Sequence, residues 1–241
     1  IYRDVWLIAA PEIHLAQWGT GWYATSLTDR QATIAVDMEV QKHIVTREKL
    51  ELSATLYDAA GKQVAQRRTR VSDGKEGITK ETLTLKVTKP HRWNLNDPYL
   101  YTLKAELLSN GKRIDGCETK VGLRTLDFDP NKGFALNGNW MKVKGVCLHH
   151  DAGVLGAVVP PEVWERRLNN LKEIGVNAIR MSHNPHAPIV YDLCDQLGLL
   201  VMDEASDEWE FPKRKWIKGW NKGEPGFDGS FDFFEEWIEQ D

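Results

Sequence analysis

The pattern of hydrophobic and polar residues changes about halfway along the chain. From about Ile13 to Leu126, short stretches alternate apolar with polar residues, and turn signals such as Ala60-Gly61 and Asn110-Gly111 separate them. Alternation with a period of two predicts β-strands with one buried face, and Asn-Gly pairs favour tight hairpins. We therefore predict, for residues 13–126, an antiparallel sandwich of roughly seven strands, about the size of an immunoglobulin-like domain.

Residues 127–241 instead alternate strands with helices. Helical segments beginning with PPEVWERRLNN and APIVYDLCDQL separate three short apolar strands. Strands joined by helices of this length predict a parallel sheet with right-handed crossovers. A further segment, FDFFEEWIEQD, has the pattern of a helix whose aromatic residues face a core. The residues predicted on the core face of the first helix are Val163, Leu168, Leu171 and Ile174.

Composition narrows the classes of partner. The chain has 241 residues, of which 41% are hydrophobic and 27% charged, with a formal net charge of -4. Charges of both signs are interspersed, so there is no basic stripe for a nucleic acid backbone. No apolar run reaches the roughly 20 residues that a membrane helix needs, and the first residues lack the pattern of a secretory leader. We therefore expect neither nucleic acid nor membrane as a partner, and the sequence leaves localisation open.

The three cysteines do not predict a disulfide framework. Cys117, Cys147 and Cys194 are few and scattered, and their odd number leaves at least one unpaired. We expect all three to be reduced.

Polar residues follow each predicted parallel strand at its carboxyl end, in the clusters LHHD, RMSHN and DEASDE. Parallel sheets of this kind carry their chemistry at the carboxyl ends of the strands. Arg180 and His183 would be costly in a protein core, so we predict that they lie at this edge, facing solvent or a ligand.

Adjacent residues on a strand point to opposite faces, which limits how these clusters can act. His149 and His150 cannot easily converge on one metal ion. For the same reason we predict that Asp203 and Glu204 support a site and do not act together as a pair of catalytic carboxylates. A metal-dependent amidohydrolase would need its paired histidines one residue apart, and here they are adjacent.

Several long motifs together resemble glycoside hydrolase family 2, which contains β-galactosidases, β-glucuronidases and β-mannosidases. The motifs are IYRDVWL, WNLNDPYLYTL, VGLR, LNGNWMKVKGVCLHHD and NAIRMSHNPHAPIVYDLCDQLGLLVMDEA. The resemblance implies a multidomain protein of β and α/β class: residues 1–12 end a jelly-roll sugar-binding domain, residues 13–126 form an immunoglobulin-like β-sandwich, and residues 127–241 begin a (β/α)8 TIM barrel.

On this resemblance, the polar clusters line a sugar pocket and the chain belongs to a retaining exo-β-glycosidase. Such an enzyme removes terminal, non-reducing β-linked sugars by double displacement between two carboxylates. The acid/base and nucleophile glutamates are expected beyond Asp241, so the chain is interpreted as a fragment that is inactive alone. The residues expected to bind substrate are His149, Asp151, Arg180, His183, Asp203 and Glu204, with His150 packed aside.

Some positions depart from the family pattern. Cys147-Leu148 stands where Asn-Arg is common, and Asn184 stands where a tyrosine is frequent. A divalent cation such as magnesium is bound in some β-galactosidases by an acidic residue and a histidine two positions on. Here Glu208 matches the first position but Glu210 occupies the second, so Glu208 is the only candidate metal ligand and no cofactor is assigned.

Other functions stay open at this stage. β-Galactosidase is the first candidate, and β-glucuronidase or β-mannosidase the alternatives within the family. From another class, a non-catalytic carbohydrate-recognition module would share the sandwich but lack the glutamates. In either case the partner is a glycoside or an oligo- or polysaccharide, and self-association into homo-oligomers is left open. Trp209, Trp216 and Trp220 are expected in a loop over the site, either stacking on sugar or anchoring the loop.

Overall fold

The computed structural model of the chain describes residues 5–72 and 74–205. The described residues fall into two compact units, one of residues 5–142 and one that begins at Val143. Within this described part of the chain, no helix is both long and apolar enough to cross a membrane.

The first unit contains a β-sandwich built from two antiparallel sheets. In spatial order, its described strands form one sheet β1-β2-β5 and a second sheet β4-β3-β6-β7. The predicted sandwich is therefore confirmed. The strands are β1 (Ile13–Leu27), β2 (Gln31–Lys42), β3 (Leu50–Tyr57), β4 (Gln63–Arg70), β5 (Gly77–Thr88), β6 (Tyr101–Ser109) and β7 (Lys112–Val121).

Alternation along the strands decides which side chains form the sandwich core. In β5, the buried residues Leu83, Leu85 and Val87 are separated by exposed residues. On the facing sheet, Leu103 and Leu107 of β6 are also fully buried and belong to the same cluster. The period of two therefore brings one apolar face of each sheet into a shared core.

The predicted Asn-Gly hairpin joins β6 to β7. Asn110 and Gly111 both have positive φ, at 50° and 81°. Two successive left-handed residues make the turn type whose twist matches that of the flanking strands, and asparagine and glycine tolerate this conformation best.

A small antiparallel sheet follows the sandwich within the first unit. It contains β8 (Leu126–Asp129), β9 (Gly133–Leu136) and β10 (Asn139–Met141), in the order β10-β9-β8. Packing groups this sheet with residues 5–142, whereas the predicted domain boundary lies at residue 127. That boundary stays a prediction.

Asn137 connects the small sheet to the sandwich. Its Nδ2 donates to the carbonyl oxygen of Trp93 at 2.9 Å, and its Oδ1 accepts from the backbone N–H of Thr125 at 3.0 Å. Trp93 is fully buried. The turn at Asn137 therefore fixes the backbone of two other segments as well as its own.

The second unit alternates parallel strands with helices, as predicted. Its described strands pair in parallel in the order β11-β12-β13, and helices α1 and α2 connect them. The elements are β11 (Gly145–Leu148), a short 3-10 helix (Gly153–Leu155), α1 (Pro161–Glu173), β12 (Ala178–Met181), α2 (Pro188–Leu197) and β13 (Leu200–Met202). This βαβαβ arrangement matches the expected start of a TIM barrel.

The core face of α1 differs in part from the predicted one. Leu168 is fully buried, but Ile174 is 78% exposed and Val163 only half-buried. Trp164, which the spacing did not single out, is buried instead. Trp164 and Leu168 are four residues apart and share one helix face, whereas Ile174 follows the last helical residue and leaves that face.

Residues 5–12 lie outside the strands, and Val5, Trp6, Leu7 and Ile8 are largely exposed. Their assignment to the end of a jelly-roll domain stays a prediction. The segment FDFFEEWIEQD lies outside the described residues.

Candidate functional site

The strand register sorts the side chains of the parallel sheet onto two faces. Cys147 of β11 is paired with Arg180 of β12, which is paired with Met202 of β13. Residues in register on neighbouring strands project from the same face of a sheet. Cys147 and Met202 are exposed and Arg180 is partly so, which makes this the open face.

The opposite face packs against the helices. Ile179 and Met181 of β12 are fully buried in a cluster with Leu168 of α1 and with Val190 and Cys194 of α2. Burial raises the pKa of the Cys194 thiol to about 12, so this cysteine behaves as a small hydrophobic residue. Helix packing on one face therefore holds the open face in position.

Glu204 lies at the centre of the polar cluster at the carboxyl ends of the strands. Its Oε1 accepts from Nε of Arg180 at 2.5 Å and forms an ion pair with Nη2 of the same guanidinium, also at 2.5 Å. Its Oε2 lies 3.3 Å from Nδ1 of His183. One carboxylate after β13 thus contacts both Arg180, within β12, and His183, which follows β12. The side chains of Arg180 and His183 remain 41% and 45% exposed. We call Arg180, His183 and Glu204 the rim cluster.

The surroundings of Glu204 and Arg180 favour the charged form of both side chains. Burial raises the pKa of Glu204, but hydrogen bonds and attraction from Arg180 and His183 outweigh burial and hold that pKa below its usual value. Hydrogen bonds to Cys147 and to Glu204 raise the pKa of Arg180. Glu204 is therefore an anion at neutral pH and accepts hydrogen bonds; it does not store a proton.

Cys147 extends the rim cluster along the open face. Its Sγ lies 3.5 Å from Nη1 of Arg180. The hydrogen bond from Arg180, together with its positive charge, lowers the pKa of Cys147 below that of an ordinary thiol. The three cysteines are free, as predicted.

The two adjacent histidines separate as strand geometry requires. The ring of His149 lies edge-on to that of His183, with centroids 5.4 Å apart. The ring of His150 instead lies 6.0 Å from that of His186, which in turn neighbours Trp164. His149 therefore lies beside the rim cluster, and His150 packs beside the helices. The sugar-binding role of His149 stays a prediction.

The predicted residue Asp151 is placed differently. Its carbonyl oxygen accepts from Nη1 of Arg167 at 2.9 Å, and that guanidinium lies over the ring of Trp164. Among the described contacts, Asp151 is thus connected to α1 and not to the rim cluster. Its side chain is exposed, and its proposed contact with substrate stays a prediction.

Asp203 and Glu204 face apart, as adjacent residues on an extended chain do. Oδ1 of Asp203 accepts from the hydroxyl of Tyr191 at 2.8 Å and from the backbone N–H of Glu204 at 3.1 Å. The Tyr191 hydroxyl also accepts from the backbone N–H of His186 at 2.9 Å. Sequence reasoning missed Tyr191, because no local spacing signals a contact between positions twelve residues apart.

The described residues contain no group of three or more histidine, cysteine, aspartate or glutamate side chains that could hold a metal ion. The candidate ligand Glu208 lies outside them, as do Trp209, Trp216 and Trp220. A divalent cation therefore stays a prediction, as does the loop of tryptophans.

Two family models match the chain. Residues 20–124 match Glycosyl hydrolases family 2, and residues 130–213 match the TIM barrel domain of Glycosyl hydrolases family 2. Together they cover both the sandwich and the parallel sheet with its rim cluster.

Relatives agree with the family models. A β-galactosidase of Bacteroides ovatus is 40% identical over 243 residues, which cover 100% of this chain and 27% of that protein. A β-glucuronidase of Bacteroides fragilis is 32% identical over 211 residues, which cover 85% of this chain and 30% of that protein. The chain thus spans less than a third of the length of either relative.

Solved structures give the same result. The crystal structure of a glycosyl hydrolase family 2 member from Bacteroides cellulosilyticus superposes with a TM-score of 0.84 at 33% identity, over 96% of this chain and 28% of that one. A β-glucuronidase from Bacteroides uniformis superposes with a TM-score of 0.78 at 27% identity, over 92% and 27%. The sandwich, the parallel βαβαβ unit and the matches to both family models show that the chain belongs to glycosyl hydrolase family 2.

Proposed function

We propose that the chain forms part of the sugar-binding site of a longer, retaining exo-β-glycosidase, with β-galactosidase as the first candidate activity. The observation that carries the proposal is the rim cluster: a guanidinium, an imidazole and a carboxylate joined at the carboxyl ends of parallel strands. Active sites of TIM barrels are built at this end of the strands.

The chemistry of the rim cluster suits sugar hydroxyl groups. A guanidinium has five N–H donors, and Glu204 engages those on Nε and Nη2. The remaining donors of Arg180, and the imidazole of His183, lie on side chains that are more than a third exposed. Hydroxyl groups both donate and accept, so a cluster with fixed donors and an anionic acceptor can orient a sugar ring.

Glu204 itself is unsuited to act as the general acid. A carboxyl group that donates a proton to a leaving group needs a raised pKa. Here Arg180 and His183 lower the pKa of Glu204, although burial raises it. We therefore assign Glu204 to holding Arg180 and His183, and we propose that two other glutamates, beyond Asp241, serve as acid/base and nucleophile.

The choice of sugar rests on the relatives. The β-galactosidase of Bacteroides ovatus is more similar to this chain than the β-glucuronidase of Bacteroides fragilis, at 40% against 32% identity. We therefore rank β-galactosides first and β-glucuronides second.

An assay of the longer polypeptide tests this proposal. We expect hydrolysis of 4-nitrophenyl β-galactoside in preference to the β-glucuronide and the β-mannoside, with the β-anomer of the sugar as the first product by proton NMR. The 241-residue chain alone should show no turnover. Sugar binding by the longer polypeptide without turnover of any glycoside would contradict the proposal and favour a recognition module.

A further inference from the structure

Tyr191 makes a contact that joins the two segments carrying the rim cluster. It lies in the first half of α2 and is partly buried against the helix-packed core. Its hydroxyl accepts from the backbone N–H of His186, in the segment after β12 that also bears His183. The same hydroxyl donates to Oδ1 of Asp203, in the segment after β13 that also bears Glu204.

The direction of each hydrogen bond is fixed by chemistry. A backbone N–H can only donate and a carboxylate can only accept, so the single proton of the hydroxyl must point to Asp203. Oδ1 of Asp203 then also accepts from the backbone N–H of Glu204 at 3.1 Å. The result is a directed path from the segment of His183, through Tyr191 and Asp203, to the backbone of Glu204.

We propose that Tyr191 is a positioning residue for the rim cluster, acting through Asp203. This inference rests on the proposed glycosidase function. His183 follows β12 and Glu204 follows β13, and the described pairing of these strands ends before either residue. The distance between His183 Nδ1 and Glu204 Oε2 therefore depends on how the two following segments are placed. The Tyr191 hydroxyl holds both segments, so it sets this separation and the orientation of Arg180.

Removal of the hydroxyl alone is the decisive change, because Tyr191→Phe keeps the ring and its packing. In the full-length polypeptide, we expect the crystal structure of this variant to show the His183 to Glu204 separation increased from 3.3 Å to about 4 Å or more, beyond hydrogen-bond reach. We expect kcat/KM to fall about tenfold, the size of one lost hydrogen bond to a charged group.

Tyr101→Phe is the matched control. Its hydroxyl also accepts from a backbone N–H, that of His91 at 2.7 Å, but it lies in the sandwich. This variant should lower the melting temperature and leave kcat/KM within about twofold. Comparing Tyr191→Phe with Tyr101→Phe distinguishes an effect on stability from an effect on the alignment of the rim cluster.

Asp203→Ala tests the path itself. If Tyr191 acts through Asp203, then adding Tyr191→Phe to Asp203→Ala should lower kcat/KM no further than Asp203→Ala does. Independent effects that multiply would overturn the inference.

The crystal structure and the kinetics separate the two ideas. A full-length wild-type protein that hydrolyses no glycoside would refute the proposed function, and the His183 to Glu204 separation in Tyr191→Phe would still decide the positioning role. An unchanged separation, or an unchanged kcat/KM in an active enzyme, would overturn the inference and leave Tyr191 as a packing residue.

Discussion

The imidazole of His183 lies 3.3 Å from one oxygen of Glu204, while the other oxygen of the same carboxylate accepts from Arg180. One carboxylate thus divides its two oxygens between an imidazole and a guanidinium. Removing Glu204 breaks both contacts at once, and removing Arg180 or His183 leaves one oxygen of the carboxylate without its partner. The rim cluster therefore behaves as a unit, and mutations within it should not be additive.

Removal of Arg180 or His183 should impair catalysis in the full-length enzyme. We expect Arg180→Ala and His183→Ala each to lower kcat/KM by roughly ten- to a thousandfold, because the charge-assisted contacts with Glu204 and the proposed hydrogen bonds to substrate are lost. His150→Ala is the comparison, since its ring faces His186 on the side of the helices and its effect should be much smaller. Steady-state kinetics on the preferred glycoside measures all three. A His150 variant more damaging than both others would show that the assignment of faces is wrong.

Stability should depend on the ionisation of Glu204 in acid. The folded-state pKa of Glu204 is lowered, so its ionised form stabilises the fold above the unfolded-state value of 4.5, and this contribution is lost as pH falls through the folded-state pKa. We expect the unfolding free energy to fall less between about pH 5 and pH 3 in Glu204→Gln than in the unchanged chain. Denaturant titrations at several pH values measure it. Glu165→Gln, on the exposed side of α1, should follow the unchanged chain, and identical acid profiles for all three would contradict the prediction.

Cys147 should be the fastest of the three cysteines to react with iodoacetamide. It is exposed, and the hydrogen bond from Arg180 lowers its pKa, so more thiolate is present near neutral pH. Cys194 should be the slowest, because it is buried and its pKa is raised to about 12. Mass spectrometry of tryptic peptides gives the rate at each site.

The effect of the Arg180 guanidinium on Cys147 can be tested separately. In Arg180→Gln, the alkylation of Cys147 should slow and its midpoint should move to higher pH, while Cys117 reacts as before. An unchanged profile at Cys147 would mean that Arg180 does not influence the thiol.

Asn137→Gly should destabilise the first unit although glycine tolerates the φ of 52°. The carbonyl of Trp93 and the N–H of Thr125 would lose their side-chain partners, which should lower the unfolding free energy by about 1–3 kcal/mol. Asn110→Gly is the matched control, since Asn110 also has positive φ but its side-chain oxygen accepts only a long, exposed hydrogen bond of 3.3 Å, from the N–H of Lys49. Its effect in denaturant unfolding should stay within about 0.5 kcal/mol, and equal losses for the two variants would contradict the prediction.

The sequence predicts elements whose signals are local. Alternating residues predict the sandwich strands, and Asn110-Gly111 predicts a hairpin that the structure confirms. The burial of Trp164 was not predicted, because its large indole is typical of both cores and sugar-binding surfaces. Helix spacing alone also placed Ile174 in the core, although the helix ends one residue before it.

The candidate site is predictable only in part, for a related reason. Strand parity separates His149 from His150 and Asp203 from Glu204, because it depends on neighbouring positions alone. The hydrogen bond from Tyr191 to Asp203 depends on how α2 packs beside β13, and the pattern of hydrophobic and polar residues does not predict that packing.

Alternate residues of β11, β12 and β13 point to opposite faces of the sheet. The residues that form the wall of the proposed pocket are therefore different from those that form the helix-packed core. Cys147 and Met202 project from the open face, while Ile179 and Met181 are committed to the core. Substitutions at the first pair can therefore change the open face without disturbing the second pair. If the proposed function holds, those two exposed positions are the places to randomise when a new sugar preference is selected in the laboratory.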